Sequence, residues 1–299
     1  MKISALVVTF NRLDKLKKCW AAVKQLSFHQ VVIVDNASTD GTYEWLSTIN
    51  DPRLVILRNE NNEGGAGGFL LGSEWISNNT QPDWVLFFDD DAYPEKNIID
   101  KFLLSDKGNA KVIASNVYDL NGSRCKMNIP WVKIPNNIQD IYLYKKSPFL
   151  YAAEEEGCSE IITFSFVGVF IDFETLKSSY LEIKKDLFIY FDDVYYSWSL
   201  KKMGCKMIYN PDLIFHHDVV ESSSAILPWK IYYLARNLIL SRKIFPSEPP
   251  FSLFSIILRL CKYICMVRNS NNKIDYLKSL FKGMMDGVIY NFKGKVDGN

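Results

Sequence analysis

The sequence predicts an α/β fold with a mostly parallel sheet, helices on both faces of that sheet, and a C-terminal helical region. Through residues 3–90, short apolar runs alternate with segments of helical periodicity. This β-α-β order requires crossover helices, which cover both faces of a parallel sheet. Beyond Pro228 the apolar residues fall in longer segments of helical character. We therefore predict a first domain over residues 1–225 and a helical region over residues 226–299.

Each of the first predicted strands is a short apolar run that leads into polar residues. The first run is apolar almost throughout, as expected of a strand buried on both faces. The segment after it places Leu16, Trp20 and Val23 at helical spacing, with lysines on the opposite face. The loop after the second run contains residues suited to cap a helix. Strands are predicted over 3–9, 31–34, 54–57 and 84–88, with helices over 13–26, 42–49 and 70–78.

The most informative stretch is the fourth apolar run, because it ends in three consecutive acids, Asp89, Asp90 and Asp91. In an open α/β sheet, ligands bind beyond the carboxyl ends of the strands, where these acids should lie. Three carboxylates so close together repel one another unless a cation lies among them. Carboxylates and a substrate diphosphate are typical ligands of Mg²⁺ or Mn²⁺. The sequence therefore predicts a divalent metal site, with a solvated acidic turn as the competing interpretation.

A glycine-rich segment, residues 62–69, leads into the third predicted helix. It does not complete the dinucleotide pattern G-x-G-x-x-G, because Leu70 stands where the last glycine is required, and it follows the third strand rather than the first. Such a loop still lets the backbone approach a phosphate or a sugar closely. Tight packing of the helix on the sheet is the competing interpretation.

A second acidic pair, Asp192 and Asp193, follows the apolar run 187–191. A helix is predicted directly after it, so the two acids are either functional carboxylates or N-terminal caps of that helix. Further along, His216 and His217 follow another apolar run. Neutral imidazole suits Mn²⁺ or a diphosphate contact, although a histidine is more often structural.

The pattern is less regular between residues 108 and 225. Residues 127–151 mix prolines, aromatics and lysines without a clear period, and are interpreted as an insertion or a substrate-facing loop. A turn is predicted at residues 210–212. Strands are predicted over 112–114, 161–171, 206–209 and 213–215, and a helix over 194–203.

Composition excludes some classes of function. The net charge of +1 gives no overall field that would attract nucleic acid. The six cysteines include no C-x-x-C pair, which favours reduced thiols over a disulfide framework or a zinc site. The apolar start of the chain is too short for a signal peptide and lacks a cleavage region. We therefore expect a cytoplasmic protein, with the inner face of the plasma membrane as its place of peripheral contact.

The C-terminal region combines apolar and basic residues. The segment 251–268 is strongly apolar but contains Arg259, Lys262 and Arg268, and is too short and too charged for a membrane span. It fits a basic helix lying in a membrane interface. The equally weighted alternative is a helix that packs on the catalytic domain or on a partner subunit. Packing on a partner subunit would make the protein a homo-oligomer.

Taken in order, these motifs resemble those of family 2 glycosyltransferases of the GT-A fold. The closest resemblance is to bacterial galactofuranosyltransferases, because of the Asn-x-Gly-Gly-Ala-Gly-Gly-Phe form of the loop and the triple acid, and rhamnosyltransferases are less similar. The resemblance covers roughly residues 3 to 217. The matching segments are 9–12, 34–42, 62–69, 89–92, 191–193 and 215–216.

The resemblance implies roles for individual residues. Asp89 and Asp91 would bind the metal, and His216 would complete the metal shell, with the next histidine as the alternative. One of Asp192 and Asp193 would be the catalytic base, and the family pattern favours the second. The implied donor-binding residues are Thr9, Arg12, Asp35, Asn62, Gly64, Gly65 and Asp90.

The implied activity is an inverting, metal-dependent transfer of galactofuranose from UDP-galactofuranose. The acceptor would be a hydroxyl of a cell-surface glycan or of a polyprenyl-linked glycan precursor. A rhamnosyltransferase that uses dTDP-rhamnose is the alternative within this class. A non-catalytic subunit that binds nucleotide sugars is the alternative of another class, and a nucleotidyltransferase would leave the second acidic pair without a clear task.

Overall fold

The computed structural model describes residues 1–219 and 226–292, which form two compact units. The first unit combines Met1–Lys133 with Ser147–Val219. The second unit combines Ile134–Lys146 with the described residues 226–292. The predicted boundary at residue 225 lies outside the described residues, and the division at that point stays a prediction.

The chain alternates strands and helices as far as β4, and the described C-terminal region is helical. The strands are β1 (Ile3–Thr9), β2 (Gln30–Asp35), β3 (Leu54–Arg58), β4 (Trp84–Asp89), β5 (Ala92–Pro94), β6 (Val112–Asp119), β7 (Ser159–Glu160), β8 (Val169–Asp172) and β9 (Met207–His217). The α-helices are α1 (Leu13–Val23), α2 (Thr42–Ser47), α3 (Gly64–Asn79), α4 (Ile98–Leu104), α5 (Ile138–Lys146), α6 (Phe173–Ser179), α7 (Asp192–Lys202), α8 (Pro228–Ile244), α9 (Leu253–Cys265) and α10 (Lys273–Ile289).

All nine strands belong to one sheet in the first unit. Its order is β3-β2-β1-β4-β8-β6-β9-β5, with β7 paired to β9. Strands β3, β2, β1 and β4 are parallel to one another, and so are β6 and β9. Strand β8 joins these two groups by antiparallel pairing with β4 and β6. The predicted α/β fold is confirmed, and its parallel half is the part that the β-α-β pattern indicated.

The sheet separates two apolar cores. Alternate residues of a strand point to opposite faces, so that β1 contributes Ala5 and Val7 to one core and Leu6 and Val8 to the other. Helix α1 packs on the first face, and α3 packs on the second through Phe69. A fully buried side chain of this size stabilises the fold by about 1.5–3 kcal/mol relative to its exposed state. The sheet is therefore a rigid platform for the residues that follow its strands.

Two local predictions are wrong. The apolar stretch 161–171 is a strand only in its last part, because Phe164 and Phe166 are buried in an irregular segment, and Phe166 packs on Phe69 with ring centroids 4.5 Å apart. The predicted turn at 210–212 is a bulge within β9, where Asn210 pairs with Ser115 and Ile214 with the next residue of β6. A bulge accommodates Pro211, which could not donate a ladder hydrogen bond.

In the second unit, α8 and α10 pack closely because of two glycines. A Cβ atom on Gly283 would lie 2.3 Å from the carbonyl oxygen of Tyr232, and one on Gly287 would lie 2.9 Å from that of Arg236. The hydroxyl of Tyr232 donates a hydrogen bond to Asp286 at 2.7 Å. Among the described residues, no helix is long and apolar enough to cross a bilayer.

Candidate active site

The carboxyl ends of four parallel strands place several predicted site residues side by side. Thr9 pairs with Asp35 across β1 and β2, and Asp35 pairs with Arg58 on β3. On the other side of β1, Val8 pairs with Asp89 at the end of β4. These residues therefore share one edge of the sheet, the location at which open α/β sheets bind ligands.

Asp35 is buried and held in one orientation. Its Oδ1 accepts a hydrogen bond from the Ser38 N–H at 2.9 Å, and its Oδ2 lies 3.4 Å from Arg58 Nε. The guanidinium of Arg58 lies 4.3 Å from the ring centroid of Tyr43. Asp35 Oδ2 accepts no hydrogen bond from the described residues. It is the acceptor that a donor nucleotide could use, and this contact stays a prediction.

The triple acid occupies the end of β4 and a tight turn into β5, and cations surround it. Nη1 of Arg12 lies 3.2 Å from Asp90 Oδ1 and 2.7 Å from Asp91 Oδ2. Thr9 Oγ1 donates a hydrogen bond to Asp90 Oδ2 at 2.8 Å. Lys15 Nζ lies 3.5 Å from Asp91. Asp90 is thus linked to Thr9 and Arg12, two residues that the resemblance assigns to the same donor pocket.

The three carboxylates differ in acidity because their surroundings differ. Burial and the neighbouring Asp91 and Asp90 raise the pKa of Asp89 to about 7. Burial raises the pKa of Asp90 to about 6, although Arg12 opposes the shift. Burial acts on Asp91 in the same sense, but His217, Arg12 and Lys15 together hold its pKa below the usual value. The turn therefore concentrates negative charge that a further cation would stabilise.

The structure places His217, and not His216, beside the triple acid. His217 is buried, and its Nε2 lies 3.2 Å from Asp91 Oδ1. His216 precedes His217 on β9, where successive side chains point to opposite faces. Its Nε2 lies 4.0 Å from Glu95 Oε1. The expected place of His216 in the metal shell is therefore corrected in favour of its neighbour.

A second contact fixes the ring of His217. Its Nδ1 lies 3.0 Å from Asn128 Oδ1, which accepts the Nδ1 proton, and Asn128 Nδ2 donates to Ser165 Oγ at 2.8 Å. A proton held at Nδ1 leaves Nε2 as the atom that faces Asp91. Burial lowers the pKa of His217, but its contacts with Asp91 and Cys125 raise this pKa to about 9. The imidazole is thus protonated beside the acid when no metal competes for it.

The donor atoms at this turn fit a hard divalent cation. Carboxylate oxygens with one imidazole are ligands that Mn²⁺ and Mg²⁺ accept. Asp91 Oδ1 is buried and accepts no well-aligned hydrogen bond from the described residues. The Nε2 atom of His217 lies 3.2 Å from it. Within residues 1–219 and 226–292, no three His, Cys, Asp or Glu side chains are already arranged around one metal position. A metal bound here would need ligands from a substrate, as Mg²⁺ sites commonly do.

The glycine-rich segment forms the first turns of α3 rather than a loop ahead of a helix that begins at residue 70. Two glycines of α3, one inside the segment and one beyond it, pack the helix on the sheet. A Cβ atom on Gly68 would lie 2.4 Å from Val8, and one on Gly72 would lie 2.1 Å from Leu6. For these positions the interpretation of tight helix packing is correct.

The other end of the segment faces the second acidic pair. Gly64 has φ +70°, and a Cβ atom there would lie 2.0 Å from the carbonyl oxygen of Phe188. The side chain of Asn62 accepts a hydrogen bond from the Gly64 N–H at 2.9 Å. A Cβ atom on Gly65 would lie 3.9 Å from Asp192 Oδ2. Of the predicted donor-binding residues, Gly65 therefore lies next to Asp192, and Gly64 lies against the turn that leads into the second acidic pair.

Asp192 and Asp193 form the first turn of α7, where Asp192 is buried and Asp193 is half-buried. Asp193 Oδ1 accepts a hydrogen bond from the Val194 N–H at 2.7 Å. Burial raises the pKa of Asp193 to about 6 although this bond and one from the Phe166 N–H favour the ionised form. Burial, Asp193 and Asp89 raise the pKa of Asp192 well above its usual value. Helix α3 links the two acidic clusters, because Gly65 lies beside Asp192 and Gly68 packs against Val8, the partner of Asp89 in the sheet.

The backbone that leads into this pair is strained. Phe188, Tyr190 and Phe191 have φ of 66°, 67° and 65°. At the first of them, the Leu187 carbonyl accepts a hydrogen bond from the Ile189 N–H at 2.7 Å, which closes a γ-turn of the uncommon, positive-φ type. Such conformations cost about 1–3 kcal/mol each and persist where the surroundings over-determine them. Here they direct the start of α7 toward the glycine-rich segment.

Sequence reasoning did not identify Lys15 or Asn128, and it gave His217 only as the alternative to His216. Lys15 could have been found, because it lies three residues after Arg12 and adjacent positions on a helix face are three or four apart. His217 could have been found from the alternation of β9, in which Phe215 and Leu213 are buried. No local signal marks Asn128, which lies in the irregular stretch that the sequence left unassigned.

Comparison with known proteins identifies the family of this chain. The model of the glycosyl transferase family 2 matches residues 4–153. The dTDP-rhamnosyl transferase RfbF of Shigella flexneri is 23% identical over 96% of this chain and 95% of its own length. The undecaprenyl-phosphate mannosyltransferase of Micrococcus luteus is 27% identical over 25% of this chain, and the match spans about a third of that relative, 32% of its length.

Solved structures show the same architecture. The mannosyltransferase PcManGT of Pyrobaculum calidifontis, in complex with GDP-Man and Mn²⁺, aligns with a TM-score of 0.54 and 18% identity over 97% of this chain and 76% of its own. TarS 1–349 of S. aureus aligns with a TM-score of 0.53 and 16% identity over 96% and 71% of the two chains. These likenesses establish a GT-A fold, and the family match covers half of the sequence. The chain belongs to glycosyl transferase family 2.

Proposed function

We propose that this glycosyltransferase is metal-dependent and inverting, and that it moves galactofuranose from UDP-galactofuranose to a hydroxyl of a glycan or of a lipid-linked glycan precursor. One observation carries the proposal. Helix α3 links two acidic clusters, of which one is surrounded by cationic side chains and the other begins α7, with Asp192 buried. This is the arrangement expected of a site that holds a diphosphate through a cation and removes a proton beside it.

The residues that would hold the metal are Asp89, Asp91 and His217. A divalent ion bound there supplies a Lewis acid that neutralises the negative charge of the leaving diphosphate. Asn128 keeps the Nε2 of His217 directed at Asp91. Arg12 is half-exposed while it contacts Asp91, so its guanidinium can also face the phosphates of a donor. Asp90 and Thr9 hold the same arginine and the turn in place.

Asp193 is the proposed base. It accepts the proton of the acceptor hydroxyl while that oxygen bonds to the anomeric carbon and the bond from this carbon to the diphosphate breaks. One direct displacement inverts the anomeric centre. A pKa of about 6 leaves Asp193 ionised at neutral pH and still basic enough to take a proton. Burial and the neighbouring Asp193 raise the pKa of Asp192 well above its usual value, which disfavours this carboxyl as the base. Asp192 lies beside Gly65, where it positions the turn.

The assignment of the sugar rests on the glycine-rich segment and the triple acid. A rhamnosyltransferase with a dTDP donor is the second candidate, and it is favoured by the full-length match to the Shigella flexneri relative. Both candidates use the same cation site and the same base. They differ in the nucleotide that Asp35 and its neighbours would contact.

Calorimetric titration of UDP, dTDP and GDP with Mn²⁺, and again with EDTA, tests the proposal. We expect UDP to bind only with the metal and to lose binding in Asp91→Asn. Transfer is then followed as UDP released from UDP-galactofuranose in the presence of glycan acceptors. Binding of dTDP alone would replace the proposed donor with dTDP-rhamnose. If no nucleotide bound under either condition, the catalytic assignment would be abandoned in favour of a non-catalytic subunit.

A further inference from the structure

Helix α9 has two faces, and both are apolar. One face is buried and consists of Ile256, Leu260 and Tyr263, with Ser255 beside them. The other face is open to solvent, with side-chain exposures between 39% and 59%. Its members are Leu253, Phe254, Ile257, Leu258 and Ile264, together with the exposed Cys261 and Cys265.

The exposed face is continuous. At 100° per residue, its seven side chains cover an arc of roughly 140° that contains no charged residue. A helix on the surface of a globular domain normally carries polar residues on this side. Lys262 borders the arc, and Arg259 lies further around, over the ring of Phe251 at 4.9 Å. The segment predicted to be amphipathic is thus apolar both toward its own unit and toward solvent.

Helix α10 repeats the pattern in the same unit. It buries Tyr276 and Leu280, and its exposed apolar side chains fall on one stripe when plotted at 100° per residue. Lys278 lies within that stripe, and Lys282 borders it. The exposed apolar members of the stripe are Ile274, Phe281, Met285, Val288 and Ile289.

The net charge of residues 251–292 indicates what binds the exposed faces of α9 and α10. Residues 251–292 contain six basic side chains (Arg259, Lys262, Arg268, Lys273, Lys278, Lys282) and two acids (Asp275, Asp286), which is a net charge of +4. The whole chain has +1. A second copy of this chain, seated symmetrically, would bring +4 against +4. An anionic phospholipid surface offers both the apolar layer and the opposite charge.

We propose that the exposed faces of α9 and α10 bind the surface of an anionic phospholipid bilayer. The apolar arc of α9 enters the boundary between headgroups and acyl chains, and the neighbouring lysines contact the headgroups. The helices lie on the bilayer, since neither is apolar enough to cross it. The biological purpose rests on the proposed function, because a polyprenyl-linked acceptor would be presented at such a surface.

Flotation of the full chain with vesicles tests this directly. The vesicles contain phosphatidylcholine alone or phosphatidylcholine with phosphatidylglycerol. We expect the protein to float with the anionic vesicles and to lose at least about tenfold in partitioning in Ile257→Glu. Lys278→Gln should lose about fivefold, and added salt should weaken binding further. Leu104→Glu, which changes an 87% exposed side chain on α4, is the matched control and should float like the wild type.

Three results would overturn the proposal. The first is a wild-type protein that stays at the bottom of the gradient with both vesicles. The second is unchanged flotation of Ile257→Glu. The third is a dimer in light scattering that Ile257→Glu dissociates while no vesicle binding is seen, which would assign the face to a second copy. Circular dichroism confirms that each variant is folded. Titration of UDP with Mn²⁺ reports the proposed donor site separately, so loss of one property is distinguishable from loss of the other.

Discussion

The two acidic clusters look alike in sequence and differ in the structure. In each, an apolar run ends in consecutive aspartates. At Asp91 the charge is balanced by Arg12, Lys15 and His217, and the pKa is lowered. At Asp193 the contacts are backbone N–H groups of a helix N-terminus, burial dominates, and the pKa is raised. One cluster is therefore suited to remain ionised and bind a cation, and the other is suited to exchange a proton.

The difference teaches that the surroundings of an acidic motif, rather than the motif itself, decide its chemistry. The triple acid receives its cations from the start of α1 and the end of β9, which the sheet brings to the same edge. The second pair lies beside the backbone of a strained turn and of the glycine-rich segment. Neither environment can be read from the residues next to the acids.

The largest expected effect is at the base. Asp193→Asn should lower the transfer rate by about 10²–10⁴-fold, because the amide cannot accept the proton of the hydroxyl. Binding of UDP with Mn²⁺ should not change. Asp192→Asn is the matched control and should have a smaller effect on rate, because burial and Asp193 raise the pKa of Asp192 and so disfavour its ionised form. Equal losses in the two variants would contradict the assignment of Asp193 alone.

The second prediction concerns the cation site. Asp91→Asn should weaken Mn²⁺ binding by more than about a hundredfold, a larger loss than removal of an outer-shell partner causes. The measurement is Mn²⁺ titration by electron paramagnetic resonance with UDP present, because the diphosphate supplies further ligands to the metal. The Asp193→Asn variant should bind Mn²⁺ like the wild type. If both variants lost the metal equally, the division between a cation cluster and a proton cluster would fail.

The third prediction separates the two adjacent histidines. His217→Ala should weaken Mn²⁺ binding, and Asn128→Ala should weaken it by about 10–100-fold because it no longer fixes the ring. His216→Ala should have no effect, since His216 contacts Glu95 instead. Asn128→Asp, which retains an acceptor for the Nδ1 proton, should restore part of the affinity. A loss confined to His216→Ala would return the metal role to that residue.

Much of the fold could be predicted from the sequence, because strand burial and β-α-β alternation leave local signals. The residues at strand ends, Asp35 and Asp89 to Asp91, could be placed for the same reason. The choice of His217 depended on which face of β9 is buried, and the contact of Asn128 depended on a segment without periodicity. The buried run that contains Phe164 and Phe166 has the composition of a strand, but it finds its partners through side-chain packing rather than ladder pairing.

The fourth prediction tests the close approach at Gly64. Gly64→Ala should destabilise the protein by about 1–3 kcal/mol and lower the transfer rate, because its Cβ would meet the Phe188 carbonyl and φ is positive. Gly122→Ala is the matched control, with φ +80° and open space around it, and it isolates the cost of the backbone conformation. Thermal melts and rates of both variants are compared. A rate loss as large in Gly122→Ala would indicate that the contact with Phe188 is unimportant for the base.

The smallest and most diagnostic effect is the dependence of transfer on pH. A base must be ionised to act, so a pKa of about 6 at Asp193 predicts a rate that is level above this pH and falls about tenfold per unit below it. The rate constant with saturating donor and Mn²⁺ is the measured quantity, because saturation separates protonation of the base from loss of metal. Asp192→Asn should leave the midpoint near 6, since burial rather than the charge of Asp192 raises the pKa of Asp193. A midpoint that stays near 4, the ordinary value for a carboxyl in water, would mean that the raised pKa of the second cluster does not control the reaction.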